Sequence, residues 1–191
     1  MNKKIYIATV AEKGAGKGLF VLILKKIMPE RRIASVRFSD MWREMLHILG
    51  KEESRDNIST IATAIRIAFH NDGILIGAMR NRLQMIDADI IVLDGLRKSE
   101  ETELIREVNG VLLYISADEK VRFERRRQHA ETTDEKGMDW EQFMRQEQAE
   151  TEVSIRSIGE NMADARIENN GTAEEFEQKI NVFLKEHGIG R

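Results

Sequence analysis

The stretch "AEKGAGKGLF" (11–20) holds residues of the type and spacing that grip an anion: Gly14, Ala15, Gly16 and Lys17. Small residues let successive backbone N–H groups converge on phosphate oxygens, and a lysine beside them adds a full positive charge. The phosphate-cradling spacing G-x-x-x-x-G-K-[ST] is met with two departures. Ala11 stands where the first glycine belongs, and Gly18 and Leu19 follow Lys17 where a metal-binding hydroxyl is usual. Glu12 puts a carboxylate inside the loop, which opposes phosphate unless its side chain turns away. A solvated lysine in an ordinary glycine turn is the plain alternative. Further along, "IIVLDGLR" (90–97) delivers Asp94 at the end of an apolar run, where a carboxylate can hold a metal-bound water. Arg43, Arg97, the stripe Arg122, Arg125, Arg126 and Arg127, and Arg145 offer planar forks that match phosphate oxygens, although a charge run is commonly only a solvated helix face.

These groups need elements to position them. Apolar runs of strand length occur at 4–10, 33–38, 89–95, 110–116 and, more weakly, 165–169. Continuous runs such as "IIVL" and "VLLYI" suit strands covered on both faces, as in a parallel sheet. Helical patterns fill 17–28, closed by Pro29, then 40–49, 57–70, 74–86, 100–108 and 119–129, with a last helix after Thr172. Ser99, Asp118 and Thr172 are the expected caps. The alternation predicts an open α/β sheet with helices on both faces. In that frame the glycine loop joins the first strand to a helix N-terminus, and Asp94 emerges at the carboxyl edge, where such sheets bind ligands. Two regions break the alternation. Several helices lie between the second and third strands, and 128–150 is polar, reading as a lid or a solvated loop.

The 191 residues suggest one domain, and 41% hydrophobic residues suffice for its core. A net charge of −3 advertises neither a nucleic acid polymer nor an anionic membrane. There is no cysteine, so disulfides and thiolate metal sites are excluded, and the four histidines 47, 70, 129 and 187 lack metal-ligand spacing. The N-terminal apolar run is too short for a signal core and no stretch is long enough to cross a bilayer, so a cytoplasmic location is expected.

"GAGKG" is similar to the loop of adenylate kinases and other nucleoside monophosphate kinases, where glycine also follows the lysine, usually with threonine in place of Leu19. "FSDMWR" (38–43) resembles their GD-x-x-R segment, and "IIVLDGLR" their DGFPR stretch, one residue shorter. "FMRQEQAE" and "ADARIENNGTAEEFEQKI" resemble the returning lid helix and the last strand, base loop and helix of dephospho-coenzyme A kinases. Taken together these segments resemble archaeal-type nucleotide kinases, which combine features of both groups. The resemblance implies a P-loop NTPase three-layer sandwich with a five-stranded parallel sheet, a helical acceptor-binding insertion and a lid. It divides the single kinase domain into a core (1–38, 87–127, 151–191), an insertion at about 39–86 and a lid at about 128–150.

The same resemblance implies roles. Lys17, Asp94, Arg125 and Arg145 act in catalysis. Lys13, Gly14, Ala15, Gly16, Lys17, Gly18, Leu19, Arg125, Asn170 and Gly171 hold the donor, ATP. Asp40, Arg43 and Arg97 hold the acceptor, and Asp94 holds Mg²⁺ through water. The expected reaction moves the γ-phosphoryl of ATP to a nucleoside or deoxynucleoside monophosphate, in a monomer or homodimer. Two alternatives stay open: a dephospho-coenzyme A kinase-like enzyme, and a nucleotide-binding protein that transfers no phosphate, motivated by Ala11, Glu12 and Leu19. Arg66, Arg80 and Arg82 suit either a pocket or solvent, and Trp42 either an acceptor base or the core.

Overall fold

The structure is a computed structural model that describes residues 4–71, 73–128 and 137–190. Strand β1 (Ile5–Val10) runs through the glycine loop into helix α1 (Lys17–Ile27). Next come β2 (Ile33–Arg37), α2 (Asp40–Ile48), α3 (Arg55–Phe69), α4 (Ile74–Met85), β3 (Ile90–Asp94) and α5 (Glu101–Glu107). The chain continues with β4 (Val111–Ser116), α6 (Glu119–Gln128), α7 (Trp140–Glu147), α8 (Glu150–Met162), β5 (Ala165–Glu168) and α9 (Ala173–Glu186). The strands form one five-stranded sheet in the order β2-β3-β1-β4-β5, every pairing parallel.

Alternation within the strands builds two cores. Ala8, Ile91, Leu93, Leu112 and Tyr114 face one side, meeting Trp42, Met79, Leu83, Leu104, Ile105, Ile155 and Ile158 from α2, α4, α5 and α8. Ile7, Val92, Leu113 and Ile115 face the other, meeting Phe20, Leu24, Phe176, Ile180 and Phe183 from α1 and α9. Covering a parallel sheet on both faces is what its unbroken apolar strands require. The expected three-layer α/β sandwich is therefore present, with α2, α3 and α4 inserted between β2 and β3.

Thr172 caps α9 in a reciprocal capping box with Glu175, as the sequence indicates. Ser99 does not cap α5 with its side chain: the N-cap is Glu100, and the Ser99 carbonyl instead accepts from the Thr102 amide and hydroxyl. Trp42 belongs to the core. Helix α8 has no counterpart in the sequence reading, although Ile155, Ile158 and Met162 carry helical spacing. Of the expected lid, 129–136 lie outside the described residues, and its return is α7, opened by a capping box between Asp139 and Gln142. Among the described residues, no helix is long and apolar enough to cross a membrane.

Candidate active site

The glycine loop leaves β1 at Val10 and enters α1 at Lys17. Gly14 (φ +82°) and Gly16 (φ +111°) hold left-handed conformations that side chains disfavour. Space is equally decisive. A Cβ on Gly14 would sit 2.8 Å from the Arg122 carbonyl, and one on Gly16 would overlap the Asn169 side-chain amide. That amide, from the loop after β5, donates to the Ala15 carbonyl at 2.8 Å, so the loop is pinned from across the sheet. The Ala15 N–H donates to the Glu12 carbonyl, and the Phe20 N–H to Gly16, the first helical bond of α1. The opening amides of α1 have no intrahelical acceptor and point toward the loop, and no acid in the first turn offsets the positive end of the helix dipole. Lys17 Nζ donates to the Ala11 carbonyl at 2.9 Å, so its charge stays at the loop. For Gly16→Ala, the Asn169 clash and the strained φ together predict at least about a tenfold loss of affinity for a polyphosphate seated in the loop. Calorimetry checks it, and an unchanged Kd would show that the loop geometry is irrelevant to binding.

Glu12 does turn away. It is 4% exposed, with Oε1 accepting from the Tyr114 hydroxyl (2.8 Å) and from Arg156 Nε (3.4 Å). Burial and the bond to Glu12 hold the Tyr114 phenol well above its usual pKa, so it remains a donor. Arg122 lies under Gly14, donating to the Ala117 carbonyl (3.0 Å), the Lys13 carbonyl (3.4 Å) and Glu147 Oε2 (2.6 Å). Burial works against the charge of Arg122, but Glu147, Glu12 and Glu119 outweigh it and raise the guanidinium above its ordinary pKa. Lys13 Nζ stands 3.8 Å from Glu152.

At the carboxyl edge, Thr9, Asp94 and Arg37 sit at one level on adjacent strands. The Thr9 hydroxyl donates to Asp94 Oδ1 at 3.4 Å, and Arg37 Nε lies 3.9 Å from Oδ2. Among the described residues no three His, Cys, Asp or Glu side chains group as a metal cage. The single carboxylate of Asp94 beside the Thr9 hydroxyl fits a divalent cation in the Mg²⁺ pattern, in which one carboxylate assists and phosphate oxygens and waters supply most ligands. Gly18 and Leu19 offer that cation no side-chain oxygen.

The following turn is well tethered. Buried Glu101 accepts from the Arg97 and Lys98 amides (2.7 and 3.2 Å), and Ser154 Oγ donates to the Arg97 carbonyl (2.7 Å). Burial raises the Glu101 pKa, against the pull of those two amides. The Arg97 side chain is exposed and has no hydrogen-bond or ion-pair partner among the described residues.

Asp40 and Arg43 line a cavity of about 420 Å³ together with Glu44, His47, Glu53 and Arg82. Asp40 Oδ2 accepts from the Arg37 amide at 2.7 Å. Arg43 pairs with Glu53 (2.9 Å), and Arg82 forks onto Glu44 (2.7 and 2.6 Å), which lowers the Glu44 pKa. Arg80 instead forks onto exposed Glu107, beside a cavity of about 550 Å³ lined by Asn71, Gly73, Ile76, Gly77 and Asn81 among others.

Arg125 donates to the carbonyls of Asn169 (2.8 Å) and Gly171 (3.2 Å), clamping the loop that carries Asn170. Burial lowers its pKa. Asn170 Oδ1 accepts from the Asp118 amide at 2.7 Å. Arg145 stands apart: 66% exposed, it reaches Glu141 on its own helix at 3.4 Å and no bond joins it to the loop among the described residues. Thus Gly14–Lys17, Arg125 and the 169–171 loop are bonded into one assembly, Asp40 and Arg43 share a cavity, and Arg145 joins neither. The residues that sequence reasoning missed are Arg37, Tyr114, Glu147, Ser154 and Arg156; Asn169 reads in the sequence only as part of the turn at 169–172, not as the loop's anchor.

No family model matches the chain. It is similar to a "UPF0200 protein" of Thermococcus kodakarensis, 25% identical over 178 residues, covering 91% of this chain and 92% of that one. A "UPF0200 protein" of Saccharolobus solfataricus is 27% identical over 169 residues, covering 87% and 85%. Among solved structures, a shikimate kinase from Bacteroides thetaiotaomicron superposes with a TM-score of 0.60 at 14% identity, covering 95% of this chain and 98% of that one. A gluconokinase from Sinorhizobium meliloti 1021 gives 0.57 at 10% identity, covering 97% and 94%. With its five parallel strands and its glycine loop between β1 and α1, the chain has the fold of the P-loop kinases.

Proposed function

We propose that the protein is an ATP-dependent phosphotransferase whose acceptor is a nucleoside or deoxynucleoside monophosphate. The observation that carries this reading is the glycine loop: left-handed Gly14 and Gly16, pinned by Asn169, open onto the unpartnered amides of α1 beside Lys17. The loop amides and Lys17 hold the donor polyphosphate, and Arg125 fixes the 169–171 loop at its edge. Bound Mg²⁺ would neutralise charge on the transferring phosphoryl group, with Asp94 as the residue that holds it. Asp40 and Arg43 face the acceptor from the 420 Å³ cavity, and Arg97 is free to reach the acceptor phosphate. Arg145, exposed on α7 and paired with Glu141, enters only if α7 carries it to the donor.

One observation favours a hydroxyl acceptor as the second reading. Both cavity arginines are already engaged by carboxylates, Glu53 and Glu44, so the cavity also presents acceptors to hydroxyl groups. Calorimetry with MgATP tests the donor site, and no association at millimolar levels would end the kinase reading. A panel of monophosphates and hydroxyl acceptors with labelled ATP then separates the two readings. With a productive monophosphate, Arg43→Ala should lower kcat/KM for the acceptor at least about tenfold and leave the ATP KM within twofold. Equal effects on both substrates would remove Arg43 from the acceptor site.

A further inference from the structure

Glu12 is the least expected group in the loop, since a carboxylate beside bound polyphosphate repels it. Its environment shows how the repulsion is managed. The carboxylate is buried on the α8 side of the sheet; Tyr114 OH and Arg156 Nε reach Oε1, and Oε2 has no hydrogen-bond partner among the described residues. Arg156 is therefore the cation in contact with this buried charge. It is shared: Nη2 lies 3.3 Å from Glu147 Oε2 and 4.0 Å from Glu119 Oε1, so one guanidinium meets carboxylates from the loop, α7 and α6. The neighbouring positions of α8 also reach toward the site, Glu152 to Lys13 and Ser154 to the Arg97 carbonyl.

We propose that Arg156 is a positioning residue for nucleotide binding: it holds Glu12 turned inward and neutralised, and so makes a carboxylate-bearing phosphate loop accept a polyphosphate. The proposal rests on the kinase reading of the loop. Arg156 touches no reacting atom in this scheme and acts through Glu12. Without it, Glu12 keeps Tyr114 as its hydrogen-bond donor and only the more distant charge of Arg122, already committed to Glu147, so its own charge either faces the phosphates or drags the loop out of shape.

The test is a mutant cycle read by MgATP calorimetry, with circular dichroism to check folding. Arg156→Leu should bind MgATP at least about tenfold more weakly than wild type, while Glu12→Gln/Arg156→Leu returns to within about threefold. A merely structural role for Arg156 predicts no such rescue. An Arg156→Leu affinity within threefold of wild type overturns the proposal, as does a double variant no tighter than the single one. If Arg156→Leu alone does not fold, the double variant is compared directly with wild type. Affinity within threefold then supports the proposal, and a larger loss overturns it. Wild type that binds no MgATP is a different failure, which ends the kinase reading itself.

Discussion

The Lys17→Ala protein should turn over at least about a hundredfold more slowly than wild type, with its fold intact. Phosphoryl transfer is catalysed mostly by positioning and by charge placed where the transition state gathers it. Lys17 places a full charge at the mouth of α1, where the helix end and the loop amides already converge. Removing a single such preorganised donor typically costs roughly 3–4 kcal/mol of transition-state stabilisation, which is about two to three orders of magnitude in rate. The structural loss is small: Lys17 is half-buried and gives up one hydrogen bond, to the Ala11 carbonyl, worth about 1 kcal/mol. Steady-state rates with a productive acceptor, set beside a thermal melt, check both halves of the expectation. Activity within threefold of wild type would mean that the lysine plays no part in transfer.

The second large effect concerns stability. Arg122→Leu should destabilise the protein by about 3 kcal/mol, because it removes the main partner of the buried Glu147 carboxylate. The Arg122 and Glu147 side chains are 1% and 3% exposed and meet at 2.6 Å. Arg122 also packs its guanidinium 5.5 Å from the Phe143 ring centre, so packing is lost with the charge. Arg156, at 3.3 Å from Glu147, remains as a second partner and limits the loss. Against a total stability of about 5–15 kcal/mol for such a domain, the change is large. Urea unfolding should show a lower midpoint at unchanged slope. Replacing both partners, as Arg122→Leu/Glu147→Leu, should recover most of it, since two apolar groups leave no orphaned charge. A loss below about 1 kcal/mol in the single variant would contradict a buried-charge role.

The strand–turn–helix around Lys17 and the Thr172 cap were legible because their signals are local: apolar runs, glycines at fixed offsets, a hydroxyl three residues before a glutamate. The arginine stripe of α6 was legible only as a stripe. Arg122 turns to Glu147, Arg125 to Asn169, Arg126 to Gln146 and Arg127 over Phe123, and no spacing within α6 distinguishes these fates. Glu12 posed the same difficulty, since its partner Arg156 is 144 residues away. Helical periodicity names a face; what that face meets is a property of the whole chain. The 420 Å³ cavity shows this too, because Arg82 reaches it from α4 and pairs with Glu44 on α2, 38 residues earlier.

The bond between Asn169 and the Ala15 carbonyl spans 154 residues, and this has a consequence for how the protein is made. Synthesis proceeds from the N-terminus, so the glycine loop leaves the ribosome well before the amide that shapes it. Until then the growing chain carries its loop unfinished. Only when β5 takes its place beside β4 is the loop tied in its final form, so a chain ending before Asn169 would lack that tie.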